Sequence, residues 1–220
     1  HQDFIKAGAR TITINSYTCT PTRLQRDGEL GWFKKLQRQA SSIATEAKEE
    51  LGAEAEHVNI AGCLPPLIGS YTTDKRTFSE LKEEYRKIVA VQAPMVDLFI
   101  IETISNTKEA NAATEAALEG GKPVYLSFTL SDKSPNQLRS GETIEEALNA
   151  ITLDSLNGLM FNCSFPETIS QGLEALQHLE IPYGGYANGF TSIDPLKPGG
   201  TVDALSARKD LDEKKYAAHA

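Results

Sequence analysis

Short apolar runs separated by longer helical stripes recur along this chain, and that alternation restricts what it can fold into. The runs are Thr11 to Asn15, His57 to Ala61, Val96 to Ile101, Pro123 to Phe128, Gly158 to Phe161 and Ile181 to Ala187. Each has the length of a strand. Several are apolar at consecutive positions, as strands buried on both faces of a parallel sheet are. Gly184 and Gly185 weaken the strand propensity of the last run. Between the runs, Leu30, Phe33, Leu36, Ala40, Ile43, Ala44, Ala47 and Leu51 form one helical stripe, and Phe78, Leu81, Tyr85, Ile88, Val89 and Gln92 form another. Thr77 with Glu80, Asn106 with Glu109, Thr143 with Glu146 and Ser164 with Glu167 have the spacing of helix-starting capping boxes, and Gly52 and Gly120-Gly121 are stop signals. Strands joined through helices imply right-handed crossovers and a parallel α/β sheet. A doubly wound open sheet accepts six strands, whereas a (β/α)₈ barrel needs two more. No strand leads into a G-x-G-x-x-G turn, which argues against a dinucleotide fold.

Composition narrows the function classes. With 220 residues, 40% hydrophobic and 24% charged, the chain can bury one substantial core and is not disordered. A formal charge of −8 argues against general nucleic-acid binding. No apolar run approaches the roughly 18 residues of a membrane span. His1-Gln2-Asp3-Phe4 is neither a signal peptide nor an initiator start, so these residues are expected to be part of a longer chain. Three cysteines, an odd and small number, suit a reduced, cytoplasmic setting better than a disulfide framework. No linker divides the sequence, and residues 1–220 read as one domain. Gly189 to Leu211 reads as an extended loop. Within it Pro198-Gly199-Gly200-Thr201 is either an ordinary loop or a set of backbone N–H groups for a phosphate.

In parallel α/β proteins chemistry gathers at the carboxyl ends of strands. Here those ends are Asn15-Ser16-Tyr17, Gly62-Cys63-Leu64-Pro65-Pro66, Glu102-Thr103, Ser127-Phe128-Thr129, Asn162-Cys163-Ser164 and Asn188-Gly189. Glu102 follows an apolar strand and precedes the helix opened by Asn106. It can bind a ligand ammonium or act as a base, or it is a carboxylate stabilised by a helix N-terminus. Cys163 precedes another helix start, a position that lowers a thiol pKa and suits a nucleophile or metal ligand. The alternative is a small buried apolar side chain. Cys19 and Cys63 also follow strands, but no C-x-x-C unit marks a three-thiolate site. No His or Lys stands at a strand end, so a Schiff-base lysine is not in view.

Taken in order, the strand ends resemble the homocysteine S-methyltransferase family. The matching stretches are His1 to Ala9 leading to Ile14-Asn15-Ser16-Tyr17, Ala61 to Pro66, Ile101-Glu102-Thr103, Leu126 to Thr129, Gly141 to Ala147, Phe161-Asn162-Cys163, Tyr186-Ala187-Asn188 and Tyr216 to Ala220. The resemblance implies a TIM (β/α)₈ barrel. It also implies one Zn²⁺ held by three Cys thiolates, one from the Asn-Cys motif and two from an adjacent late pair. Cys163 then becomes the first metal ligand and the catalytic residue, with the other two expected beyond Ala220. An open fourth position takes the homocysteine sulfur, and zinc favours its thiolate. The thiolate attacks the methyl of S-methylmethionine or S-adenosylmethionine to give methionine. Glu102 is implied as partner of the substrate ammonium, with Asn15, Asn162 and Asn188 as further substrate-binding residues. Small-molecule substrates, and neither nucleic acid nor membrane, are the implied partners.

The sequence also departs from the family pattern. The first strand, ending in an acidic residue and a Gly pair, is absent, and so is the late Gly-Gly-Cys-Cys strand. Gly189-Phe190 follow Asn188 where the family often has Ser and an acidic residue. Two of eight barrel strands are therefore expected to lie outside this chain. The alternatives are a non-catalytic, barrel-like binding or scaffold protein without a complete zinc site, and a phosphate-ligand barrel enzyme using Gly199 and Gly200.

Overall fold

The computed structural model describes residues 1–196 and 201–219. The six apolar runs become six parallel strands: β1 (Thr11–Thr13), β2 (Asn59–Leu64), β3 (Leu98–Ile104), β4 (Val124–Phe128), β7 (Gly158–Asn162) and β8 (Tyr183–Tyr186). They pair as β1-β2-β3-β4-β7-β8, each parallel to its neighbour. A second pair, β5 (Leu130–Ser131) and β6 (Ser134–Leu138), is an antiparallel hairpin rising from the end of β4. The sequence reading missed it, because Ser134-Pro135-Asn136-Gln137 is polar and does not alternate. The helices are α1 (Gln2–Lys6), α2 (Pro21–Arg26), α3 (Phe33–Leu51), α4 (Phe78–Gln92), α5 (Thr107–Glu119), α6 (Ile144–Ala150), α7 (Pro166–Glu174) and α8 (Glu213–Ala217).

The sheet is curled. Tyr186 on β8 reaches Glu102 on β3 with its hydroxyl, although β4 and β7 lie between them in the sheet. A curled sheet of six parallel strands with helical crossovers is a half-barrel, in keeping with the (β/α)₈ expectation. One face of its central strands is fully covered, with Phe99, Ile101, Val124, Leu126 and Leu159 showing no exposed surface, while Ile100, Tyr125 and Met160 on the other face are partly buried. Gly185 sits in β8 for a spatial reason, since a Cβ there would stand 2.5 Å from Ile169 and 2.9 Å from the Phe161 carbonyl oxygen.

The start signals divide. Thr77–Glu80 and Thr143–Glu146 form reciprocal capping boxes. Asn106 caps α5, but Glu109 turns into the core, where its Oε1 accepts from Leu67 N at 3.0 Å and Tyr85 Oη at 3.1 Å. Ser164 caps no helix: α7 begins after Phe165, and the Ser164 hydroxyl bridges Leu130 N and O at 2.9 and 3.1 Å. That bond docks the hairpin onto the end of β7. The α3 stripe is also not uniformly covered. Phe33, Ala40 and Ala44 are buried, whereas Ile43 is half exposed and lines a groove beside β1. The Pro198-Gly199-Gly200 stretch proposed for phosphate lies outside the described residues.

Candidate functional site

The carboxyl ends of β3, β4 and β7 converge on one polar cluster. The β3–β4 register shifts between Ile101 and Ile104, so Glu102 and Thr103 occupy an irregularity in the strand. Such irregularities re-aim side chains at functional sites. Among the described residues three non-glycine residues have positive φ, namely Tyr71 at 62°, Thr103 at 61° and Cys163 at 53°. Conformations of this kind cost roughly 1–3 kcal/mol each and persist where the surroundings over-determine them. All three belong to the same cluster.

Asn162 is its keystone. Its Oδ1 accepts from Thr103 N at 2.9 Å and Ser127 Oγ at 2.8 Å, and its Nδ2 donates to Thr103 Oγ1 at 2.8 Å and to Cys163 Sγ at 3.2 Å. Thr103 Oγ1 lies 3.5 Å from the same sulfur. The Tyr71 hydroxyl lies near enough to Cys163 to favour its thiolate. The Arg139 guanidinium stacks 4.6 Å from the Tyr71 ring centre, bonds Asp132 Oδ2 at 2.9 Å and lies 3.4 Å from the Cys163 carbonyl oxygen. Asp132 in turn accepts from Phe165 N at 2.7 Å, so the hairpin braces the turn that carries Cys163. The loop bearing Tyr71 is anchored by Arg76, which bonds Asp74 and Glu84.

Glu102 stands beside this cluster. Its Oε1 accepts from Cys63 Sγ at 3.1 Å and its Oε2 from Tyr186 Oη at 3.0 Å. Both partners are neutral donors, and among the described residues no ion pair reaches it. Burial raises its pKa, and the two hydrogen bonds oppose that. Burial also raises the Cys163 thiol, and the Glu102 charge adds to the rise, while Thr103, Tyr71 and Arg139 oppose it. A lowered thiol pKa was the expectation from the helix start; desolvation outweighs it here. Beside Glu102 and Cys63 a groove of about 910 Å³ opens along β1, lined also by Asn15, Ile14, Tyr17 and Ile43.

The expected residues therefore fall in different environments. Glu102, Cys163 and Asn162 come together; Asn15 is exposed at the groove. Asn162 is fully buried and has both polar atoms committed to protein partners. Asn188 lies two residues past β8, its Oδ1 accepting from Phe190 N at 3.1 Å and its buried Nδ2 without a partner among the described residues. Cys63 serves Glu102, and Cys19 lines the groove. Among the described residues no three His, Cys, Asp or Glu side chains converge on a common point. Sequence reasoning gave no role to Tyr71, Arg139 or Tyr186. Tyr71 and Arg139 lie in loops without a motif, and the reach of Tyr186 depends on sheet curvature.

The fold and the strand-end cluster define a half-barrel α/β chain with a thiol and a partly buried carboxylate at its open end. Its family follows from comparison: the homocysteine S-methyltransferase family model matches residues 1–220, and the chain belongs to that family. It is 27% identical to Homocysteine S-methyltransferase 1 of Arabidopsis thaliana over 194 residues, covering 77% of this chain and 58% of that protein. It is 27% identical to the Selenocysteine Se-methyltransferase of Brassica oleracea var. italica over 220 residues, covering 89% and 63%. The chain thus spans somewhat over half the length of these relatives. The metallated form of the homocysteine methyltransferase MmuM from Escherichia coli shares the fold, with a TM-score of 0.75 at 21% identity over 85% of this chain and 77% of that one.

Proposed function

We propose that this chain carries the amino-thiol-binding part of a thiol S-methyltransferase that converts homocysteine to methionine. The observation that carries the reading is Glu102: a partly buried carboxylate with two neutral donors, no cationic partner among the described residues and an adjoining groove, next to the Cys163 thiol. A partly desolvated carboxylate in that state gains from a cationic ligand, and the homocysteine ammonium supplies one. The substrate thiol then faces Cys163, and Asn15, which lines the groove, and Asn188 are the proposed contacts for the rest of the amino acid. In the transfer, the substrate thiolate forms a bond to the donor's methyl carbon as the donor's sulfonium–methyl bond breaks. The electron pair of that bond leaves on the donor sulfur, which becomes a neutral thioether. S-methylmethionine and S-adenosylmethionine are the proposed donors.

The family resemblance implies zinc. Cys163, with N–H and O–H donors around its sulfur, suits one thiolate ligand. The described residues provide no second and third donor beside it, so they do not by themselves make a zinc site. In the proposal Cys163 is the one ligand contributed here. The full-length protein should hold close to one zinc per chain and release it in Cys163→Ala. Incubated with homocysteine and each methyl donor, it should form methionine. Full activity of a metal-free preparation would remove zinc from the reading. No product from either donor, with no affinity for homocysteine, would favour a binding or scaffold protein.

A further inference from the structure

Glu102 is held at both oxygens by residues from two different strands. Cys63 lies on β2, one strand over, and is fully buried; its thiol meets Oε1 at 3.1 Å. Tyr186 lies on β8, at the far edge of the sheet, and its hydroxyl spans the inside of the curl to meet Oε2 at 3.0 Å. A carboxylate that accepts one bond on each oxygen has its plane fixed and still offers lone pairs on both atoms. Neither donor carries charge, so neither competes with a cation for the carboxylate, as Lys or Arg would.

We infer that Cys63 and Tyr186 are positioning residues, which together orient the Glu102 carboxylate toward the groove so that it receives a substrate ammonium. The inference rests on the reading of Glu102 given above and extends it to two residues that touch the carboxylate rather than the reacting atoms. Tyr186 has a second consequence. Because it comes from β8, the curl of the whole sheet sets the geometry of the ammonium subsite.

The test is kinetic, on the full-length zinc-loaded enzyme. Cys63→Ala and Tyr186→Phe should each raise the KM for homocysteine about tenfold, the loss of one hydrogen bond to a charged group, and leave kcat within about threefold. Cys63→Ser, which keeps a donor, should restore most of the affinity. In a Glu102→Gln background, Cys63→Ala should add nothing further, because the group it orients is gone. A general packing defect would persist in that background and would not be rescued by serine. Unchanged KM in both single variants, with wild-type affinity intact, would overturn the positioning role alone. Wild-type protein without affinity for homocysteine would overturn the functional reading with it.

Discussion

The centre of the sheet and its edges solve different problems. At the centre, β3, β4 and β7 present polar side chains that are buried and bonded to one another. Asn162, Thr103, Ser127 and Ser164 have essentially no exposed surface. At the edges, β1 is three residues long and faces the groove, and Tyr183 and Tyr186 of β8 are 43% and 37% exposed. The centre is a finished scaffold that fixes where Glu102 and Cys163 stand. The edges, through Asn15 and Tyr186, present side chains whose bonds leave room for a ligand. Stability should therefore be concentrated in the central polar network, and recognition should draw on both regions.

The sharpest way to break this contrast is Asn162→Ala. It leaves Thr103 N and Ser127 Oγ without their partner and removes a donor to Cys163. At roughly 1–3 kcal/mol per buried group left unpaired, the loss should be about 3 kcal/mol in urea unfolding. A loss below 1 kcal/mol would mean that the centre is not over-determined.

Glu102→Gln should act in the opposite direction. The folded-state pKa of Glu102 is raised by burial. Its favourable contribution is therefore complete only below the unfolded carboxylate pKa of about 4.3, and is lost as pH rises through the folded value. At pH 7 the wild type carries the cost of a partly desolvated charge that the amide lacks. The variant should be the more stable at pH 7, with the difference shrinking toward pH 4, while homocysteine binding falls at least tenfold. Stability gained together with binding lost is the mark of a residue retained for function. A variant less stable than wild type at pH 7 would make Glu102 a structural residue.

The smallest effects belong to the edge. Asn15→Ala and Ile43→Ser alter exposed side chains on the groove and should each change stability by no more than about 0.5 kcal/mol. Asn15→Ala should nevertheless weaken homocysteine binding measurably. Larger stability changes would show that the groove wall is as tightly packed as the centre.

The same contrast explains what the sequence could reveal. Apolar runs such as Val124–Phe128 have to be buried strands, and Thr77–Glu80 has to open a helix, because local chemistry decides both. Strand ends could be named from those limits, which brought Glu102, Asn162 and Cys163 into view. Their partners were hidden for three reasons. The polar β5–β6 hairpin that braces Cys163 has no periodicity to detect. The left-handed conformations at Tyr71, Thr103 and Cys163 fall on residue types that do not advertise them. The Tyr186–Glu102 bond joins residues separated by 84 positions and depends on how far the sheet curls. Likewise, Glu109 and Ser164 had the right spacing for caps, but tertiary partners claimed their side chains.

The central claim is that Glu102 recognises the ammonium of an amino-thiol. Calorimetric titration of the full-length zinc-loaded protein with homocysteine and with 4-mercaptobutanoate, which keeps the thiol and carboxylate but lacks the ammonium, tests it most directly. The wild type should bind homocysteine at least tenfold more tightly than the deaminated analogue, and Glu102→Gln should abolish that preference. Equal affinity of the wild type for the two thiols, or a preference that survives in Glu102→Gln, would contradict it.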